Sequence, residues 1–262
     1  MPYARVNDIS MYYEEHGKGQ PIIFMHGATG SLEQADNSWS GLSGLLGQKY
    51  KAIHVEHRGH GRTNNPRDYL TYELIADDIC KFIEEKKIGP VHIAGLSDGA
   101  IVGLHISMTR PDLMRTLICV GVNYYNDDLV REANEFADVE KIERKQPELA
   151  TLFATVHDRN KTPGYWKTLI KHLAINLAKN PAYTIEDLKK TKTPTLLIAG
   201  ENDLWANRQQ MIDMRKHMPA SELLIINNAG HEAQYSHPHL VGPAMMDFLE
   251  RHKDYAHAKR QS

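Results

Sequence analysis

Six short apolar runs divide the chain, and each meets glycine within a few residues: "PIIFMHG" (21–27), "YKAIHVEHRGHG" (50–61), "VHIAG" (91–95), "TLICVGV" (116–122), "TPTLLIAG" (193–200) and "SELLIINNAG" (221–230). Their apolar residues are contiguous rather than alternating, the mark of strands buried on both faces. Helical patterns lie between them. Residues 72–87 carry Leu74, Ile75, Ile79, Phe82 and Ile83 at the 3.6-residue period, and Gly89-Pro90 ends the element. Further helices are predicted from Ser97 to about Thr109, over 204–218 and over 239–252. Strands alternating with helices point to a mostly parallel sheet with helices on both faces. Residues 3–16 add two strands around Asn7-Asp8, closed by Gly17 and Gly19.

The stretch 124–190 breaks this pattern. It holds no convincing strand, is charged and helical in character, and scatters Tyr124, Tyr125, Phe153, Tyr165 and Trp166. Its length exceeds a simple crossover between two strands. It reads as a helical cap over the carboxyl ends of the strands, where open α/β sheets bind ligands. The core domain is then 1–123 with 191–262, and the cap 124–190.

Charge narrows the range of partners. With 31 Lys+Arg against 33 Asp+Glu, net charge is −2, which points to neither nucleic acid nor an anionic membrane surface. No apolar run approaches the length of a membrane span. The first residues, Met1-Pro2-Tyr3-Ala4-Arg5, lack the apolar core of a signal peptide. The two cysteines, Cys80 and Cys119, make neither a disulfide framework nor a zinc site. Free thiols suit a reducing compartment, so the expected location is cytoplasmic.

The chemistry centres on "HIAGLSDGAIVG" (92–103). Gly95-Leu96-Ser97-Asp98-Gly99 matches G-x-S-x-G at a strand-to-helix junction, the setting the motif requires. A sharp turn there lifts the Ser97 hydroxyl toward the ligand crevice. Side chains two positions to either side would collide with the neighbouring strand or helix, hence the glycines. The helix start behind Ser97 offers unpaired N–H groups suited to an oxyanion.

A serine hydroxyl needs a base, and the base needs an orienting acid. Asp203 follows the run "TLLIAG", and His231 follows "LLIINN". Glu201 is the alternative acid; it lies nearer the strand end, and Asp203 is preferred. The loop after "TLICVGV" offers Asn123, which cannot ionise. The loop His26-Gly27-Ala28-Thr29-Gly30 supplies the other oxyanion donor. Ala28 and Asp98 are assigned as donors through their backbone N–H groups, with Thr29 a lesser candidate. His26 is read as a structural histidine that fixes this loop.

These elements, "HGATG", "EHRGHGRT", "GLSDGA", "GEND" and "AGH", come in order and at family spacing, and the chain resembles the α/β-hydrolase superfamily over nearly its whole length. The Ser-Asp-Gly elbow is similar to that of valacyclovir-hydrolase-like (biphenyl-hydrolase-like) esterases. The resemblance implies an α/β-hydrolase fold: a mostly parallel central sheet flanked by helices, with a helical cap inserted after the sixth strand. It implies the order Ser97, Asp203, His231 for a catalytic triad. One departure is Glu56, where relatives usually carry aspartate; the same structural role is expected, with Arg58 and His60 tying down its loop. Ser97 in place of aspartate argues against haloalkane dehalogenase and epoxide hydrolase chemistry.

The expected reaction is hydrolysis of a small-molecule carboxylic ester through an acyl-enzyme, with no metal or organic cofactor. The Asp98 side chain faces two readings. It pairs with a substrate ammonium, as in an α-amino ester, or it turns aside to a nearby donor. Thr29, Tyr124, Tyr125 and Trp166 are further candidate substrate contacts. Rival chemistries on the same triad are lactonase, C–C hydrolase, perhydrolase and hydroxynitrile lyase. A rival of another class is a small-molecule receptor with little turnover.

Overall fold

A computed structural model describes residues 2–33, 39–133 and 136–256. Met1 lies outside the described residues, as do 34–38 and 257–262 of the expected core and 134–135 of the expected cap. The strands are β1 (Tyr3–Val6), β2 (Ile9–His16), β3 (Gln20–Met25), β4 (Tyr50–Val55), β5 (Val91–Leu96), β6 (Met114–Val120), β7 (Thr195–Gly200) and β8 (Ser221–Ile226). They form one sheet in the order β1-β2-β4-β3-β5-β6-β7-β8. The β1–β2 and β2–β4 pairs are antiparallel, and every pair from β4 to β8 is parallel.

The helices before β6 are α1 (Ser40–Leu46), α2 (Tyr72–Lys86) and α3 (Asp98–Thr109). Among the described residues, five lie between β6 and β7: α4 (Asp128–Ala133), α5 (Val139–Lys145), α6 (Pro147–His157), α7 (Tyr165–Leu177) and α8 (Ile185–Leu188). Then come α9 (Arg208–His217) before β8, and α10 (Ala233–Ser236) and α11 (Pro238–Arg251) after it.

The contiguous apolar runs divide their side chains between the two faces of the sheet. In β3, Ile23 and Met25 join the core of α2 and α3, with Ile79 and Ile101. Ile22 and Phe24 join the opposite core, with Leu42 of α1 and Phe248 of α11. Fully burying one such side chain contributes roughly 1.5–3 kcal/mol, so both faces stabilise the sheet. The α2 helix begins where Thr71 Oγ1 accepts the Leu74 N–H at 3.2 Å, and it ends at Lys87 in the left-handed region. Among the described residues no helix is long and apolar enough to cross a membrane.

Two elements differ from the sequence expectation, and a third, α1, lies where no helix is predicted. The helix expected over 204–218 begins only at Arg208. The Asp203 carboxylate takes the Trp205 and Ala206 N–H groups at 2.8 and 3.0 Å, and Asn207 then caps the helix. The run 221–230 is strand only to Ile226, because Asn228 turns the chain with φ +60°. The α1 segment "SGLSGLL", poor in helix formers, is helical because Leu42 and Leu46 are buried beside α11.

Candidate active site

The parallel register brings five strand ends side by side. Met25 lies opposite Gly95, Leu96 and Ile198 opposite Val120, and Gly200 opposite Ile226. A cavity of about 490 Å³ opens above these ends. Ser97, Asp98, His231 and the loop from His26 to Ser31 line it from the sheet side. Asn126, Val130, Phe136, Leu149, Phe153 and Leu177 line it from the insertion between β6 and β7.

Ser97 sits at φ +52°, ψ −117°, a left-handed φ rare for a residue with a side chain. Its N–H donates to Val120 O at 2.9 Å, and its carbonyl accepts from Ala100 and Ile101. A Cβ at Gly95 would lie 2.3 Å from the Gly99 carbonyl carbon. A Cβ at Gly99 would lie 2.7 Å from both the Met25 and His26 carbonyl oxygens. Helix start and strand ends therefore touch backbone to backbone on both sides of the serine. The Asp98 N–H opens α3 and has no intrahelical acceptor. Among the described residues neither it nor the Ala28 N–H donates to a backbone oxygen.

His231 Nδ1 donates to both Asp203 oxygens, at 2.9 and 3.0 Å. The Asp203 carboxylate is 2 % exposed, and its backbone donors fix its plane. Glu201 turns away and accepts the Asn228 N–H at 3.0 Å. Asn123 donates to Tyr125 O at 3.1 Å. Gly121, at φ +58°, lies beneath the histidine: a Cβ there would be 2.7 Å from His231 Nδ1.

Asp98 turns aside to a donor. Tyr72 Oη donates to Asp98 Oδ1 at 2.9 Å, and both residues line the cavity. Burial pushes the Asp98 carboxyl up to about 6, against the lowering effect of the Tyr72 bond. Tyr72 gave no signal in the sequence beyond opening a helix. The other predicted contacts separate. Ala28 and Thr29 line the cavity, whereas Tyr124, Tyr125 and Trp166 are not in its wall. Tyr124 packs on Tyr125, and Trp166 is buried against Phe153. Phe136 and Trp205 supply cavity aromatics instead, their rings edge to face at 5.1 Å. Asn126 was also missed. Its amide donates to Leu177 O and Asn180 O, leaving Oδ1 buried without a partner among the described residues.

The surrounding loops are held by buried polar groups. Glu56 accepts from Ser31 Oγ, Leu32 N–H and Arg62 N–H at 2.9, 3.0 and 2.7 Å. Arg58 forks onto Asp78 at 2.7 and 2.8 Å and reaches Asp8 and Asn65. His26 accepts the His57 N–H on Nε2 and donates from Nδ1 to Gly27 O. Burial depresses the His26 pKa to about 3, so the ring is neutral.

Residues 22–244 match the family model described as the alpha/beta hydrolase family. The chain belongs to this family. A curated relative, the 2-hydroxy-6-oxo-6-(2'-aminophenyl)hexa-2,4-dienoic acid hydrolase of Metapseudomonas resinovorans, is 26% identical over 98% of this chain and 93% of its own. The (E)-2-((N-methylformamido)methylene)succinate hydrolase of Acinetobacter baylyi is 21% identical over 93% of this chain and 95% of its own. A meta-cleavage product hydrolase from Pseudomonas fluorescens superposes with TM-score 0.78 at 19% identity, over 95% of this chain and 97% of that one. These relatives are hydrolases by name, and this α/β-hydrolase is an enzyme of the same class.

Proposed function

We propose that this α/β-hydrolase is a serine hydrolase that cleaves a small carboxylic ester through an acyl-enzyme. The observation that carries the reading is the paired hydrogen bond from His231 Nδ1 to Asp203, with His231 and Ser97 in one cavity wall. With its Nδ1 proton held by Asp203, His231 presents the Nε2 lone pair as base. Ser97 gives up its proton to His231 and attacks the ester carbonyl. The Ala28 and Asp98 N–H groups take the oxyanion, each worth about 3 kcal/mol in the transition state. His231 protonates the leaving alcohol, and water then releases the acid. Residues 124–190 act as a cap over the core of 1–123 and 191–262. The buried free thiols of Cys80 and Cys119 support a reducing, cytoplasmic setting.

The cavity wall favours a neutral or positively charged ester. Asp98 and Glu232 line it, and among the described residues no lysine or arginine does. An anionic substrate would enter without a counter-charge. The α-amino ester is the cationic case: the acidic wall of Asp98, already bonded to Tyr72, and Glu232 favours a positive charge in general without a dedicated ammonium partner. A second reading, C–C bond hydrolysis on the same three residues, is favoured by the name of the Metapseudomonas resinovorans relative. That name describes an acid, which the carboxyl-bearing wall of this cavity opposes.

A fluorophosphonate is expected to label Ser97 in the wild type and not in Ser97→Ala. A folded wild type that stays unlabelled overturns serine chemistry. A panel of α-amino esters, their des-amino analogues, carboxylate-bearing esters and dienoic-acid C–C substrates then sorts the readings. Turnover of the dienoic acids without turnover of neutral or amino esters overturns the ester assignment.

A further inference from the structure

Three consecutive carbonyl oxygens of the loop after β3 each meet a different imidazole. Gly27 O lies 2.7 Å from His26 Nδ1, Ala28 O 2.6 Å from His60 Nε2, and Thr29 O 3.3 Å from His157 Nε2. The rings come from three places: the end of β3, the loop after β4, and the last residue of α6 in the insertion. All three are buried and packed on one another, with centroids 4.9 Å apart for His26 and His60 and 5.8 Å for His60 and His157. The tautomer of His157 follows from its other nitrogen. Nδ1 accepts the Gly61 N–H at 3.0 Å, so the proton lies on Nε2 and is donated to Thr29 O.

A peptide unit is planar and trans, so its N–H points opposite to its C=O. Holding the Thr29 carbonyl therefore aims the Gly30 N–H. That N–H donates to Gly27 O at 3.1 Å and closes a four-residue turn. The Gly27 carbonyl shares its plane with the Ala28 N–H. Two hydrogen bonds and two peptide planes thus connect His157 to the Ala28 N–H.

We propose that His157, carried by the helical insertion, is a positioning residue that holds the Ala28 N–H in its oxyanion-binding direction. This rests on the serine-hydrolase reading above. His157 acts through the turn and is not itself in the cavity wall. A neighbouring tie supplies the control: Lys161 Nζ donates to Gly61 O and His157 O, anchoring the same end of α6 without touching the turn.

The test compares two ligands with the same alkyl chain, a trifluoromethyl ketone and a methyl ketone, by calorimetric dissociation constants. Ser97 Oγ adds to the activated ketone: the O–C bond forms, the carbonyl π pair becomes the oxyanion, and the hydroxyl proton passes to His231. The methyl ketone binds without adding. The affinity ratio of the pair therefore reads the oxyanion site and cancels general binding. His157→Phe keeps a ring in place and is expected to lower the ratio about 10- to 100-fold, the scale of a displaced catalytic group. His157→Gln returns an N–H donor and is expected to recover part of it. Lys161→Met is expected to lower the thermal midpoint and keep the wild-type ratio. An unchanged ratio in His157→Phe, no recovery in His157→Gln, or an equal loss in Lys161→Met overturns the proposal. A wild type with no preference for the fluorinated ketone and no adduct at Ser97 overturns the serine-hydrolase reading, and the proposal falls with it.

Discussion

The Tyr72 hydroxyl donates to the Asp98 carboxyl at 2.9 Å, joining the first residue of α2 to the first residue of α3 beside Ser97. The bond holds a buried carboxyl in the cavity wall, where desolvation raises its pKa to about 6. In the unfolded chain the same group titrates near its ordinary 3.8. Between these values the folded state binds the extra proton, so rising pH costs stability, fully by pH 7. Asp98→Asn keeps an acceptor for Tyr72 and removes the charge. The variant is expected to match the wild type near pH 4 and to exceed it by on the order of 2–3 kcal/mol at pH 7. Denaturant midpoints at the two pH values check this, and a pH-independent difference would contradict it.

Buried histidines act in the opposite direction. Burial depresses His26 to about 3 and His54 and His92 to about 4, from an ordinary 6.5. Below pH 6.5 the unfolded chain takes protons that these folded rings refuse, so stability falls as pH falls toward 4. Three such protons give a slope of about 4 kcal/mol per pH unit, partly offset by Asp98 below pH 6. His92 bonds Thr116 and Gln20 at the far end of the strands from Ser97. His92→Gln is expected to flatten the slope by about 1.4 kcal/mol per unit. Unfolding curves at pH 6.5, 5.5 and 4.5 measure it; a flat wild-type profile would refute the argument.

Gly121→Ala tests the seat of His231. The added Cβ meets His231 Nδ1 at 2.7 Å and Asp203 Oδ2 at 3.2 Å, at a backbone φ of +58°. The ring must shift away from its carboxylate. Ester kcat/KM is expected to fall about 100-fold while the far-ultraviolet circular dichroism is retained. Activity within a few-fold of wild type would show that the ring does not need this seat.

Asn126 Oδ1 is a buried acceptor in the cavity wall, and both amide hydrogens are already committed. A substrate N–H or O–H reaching it would repay the acceptor's lost hydration. Across a series of chain lengths, one ω-hydroxy ester is expected to exceed its ω-methoxy partner about tenfold in kcat/KM. Asn126→Leu is expected to abolish that preference. Equal rates for every pair in the wild type would show that Oδ1 reads nothing.

The parts of the fold carried by local pattern were legible. Apolar runs ending in glycine located the strands, and the glycines around Ser97 marked a backbone-to-backbone contact. Asp203 and His231 could be singled out because each follows such a run. What escaped was set by distant partners. Nothing near Tyr72 announces Asp98, and nothing in "SGLSGLL" announces the apolar face of α11 that makes it helical. Tyr124, Tyr125 and Trp166 were chosen by residue type, yet their neighbours place them outside the cavity wall. Nothing around His157 in the sequence announces Thr29, the distant partner its ring meets.

The edge contact between Phe136 and Trp205 gives the enzyme an optical reporter. Of the three tryptophans, Trp39 and Trp166 are 1 % and 4 % exposed, whereas Trp205 is 40 % exposed and lines the cavity. Water-borne quenchers will reach one indole and spare two. The red edge of the emission therefore belongs to Trp205, whose ring lies 6.3 Å from that of His231. Occupancy of the cavity becomes visible as light, with no dye attached.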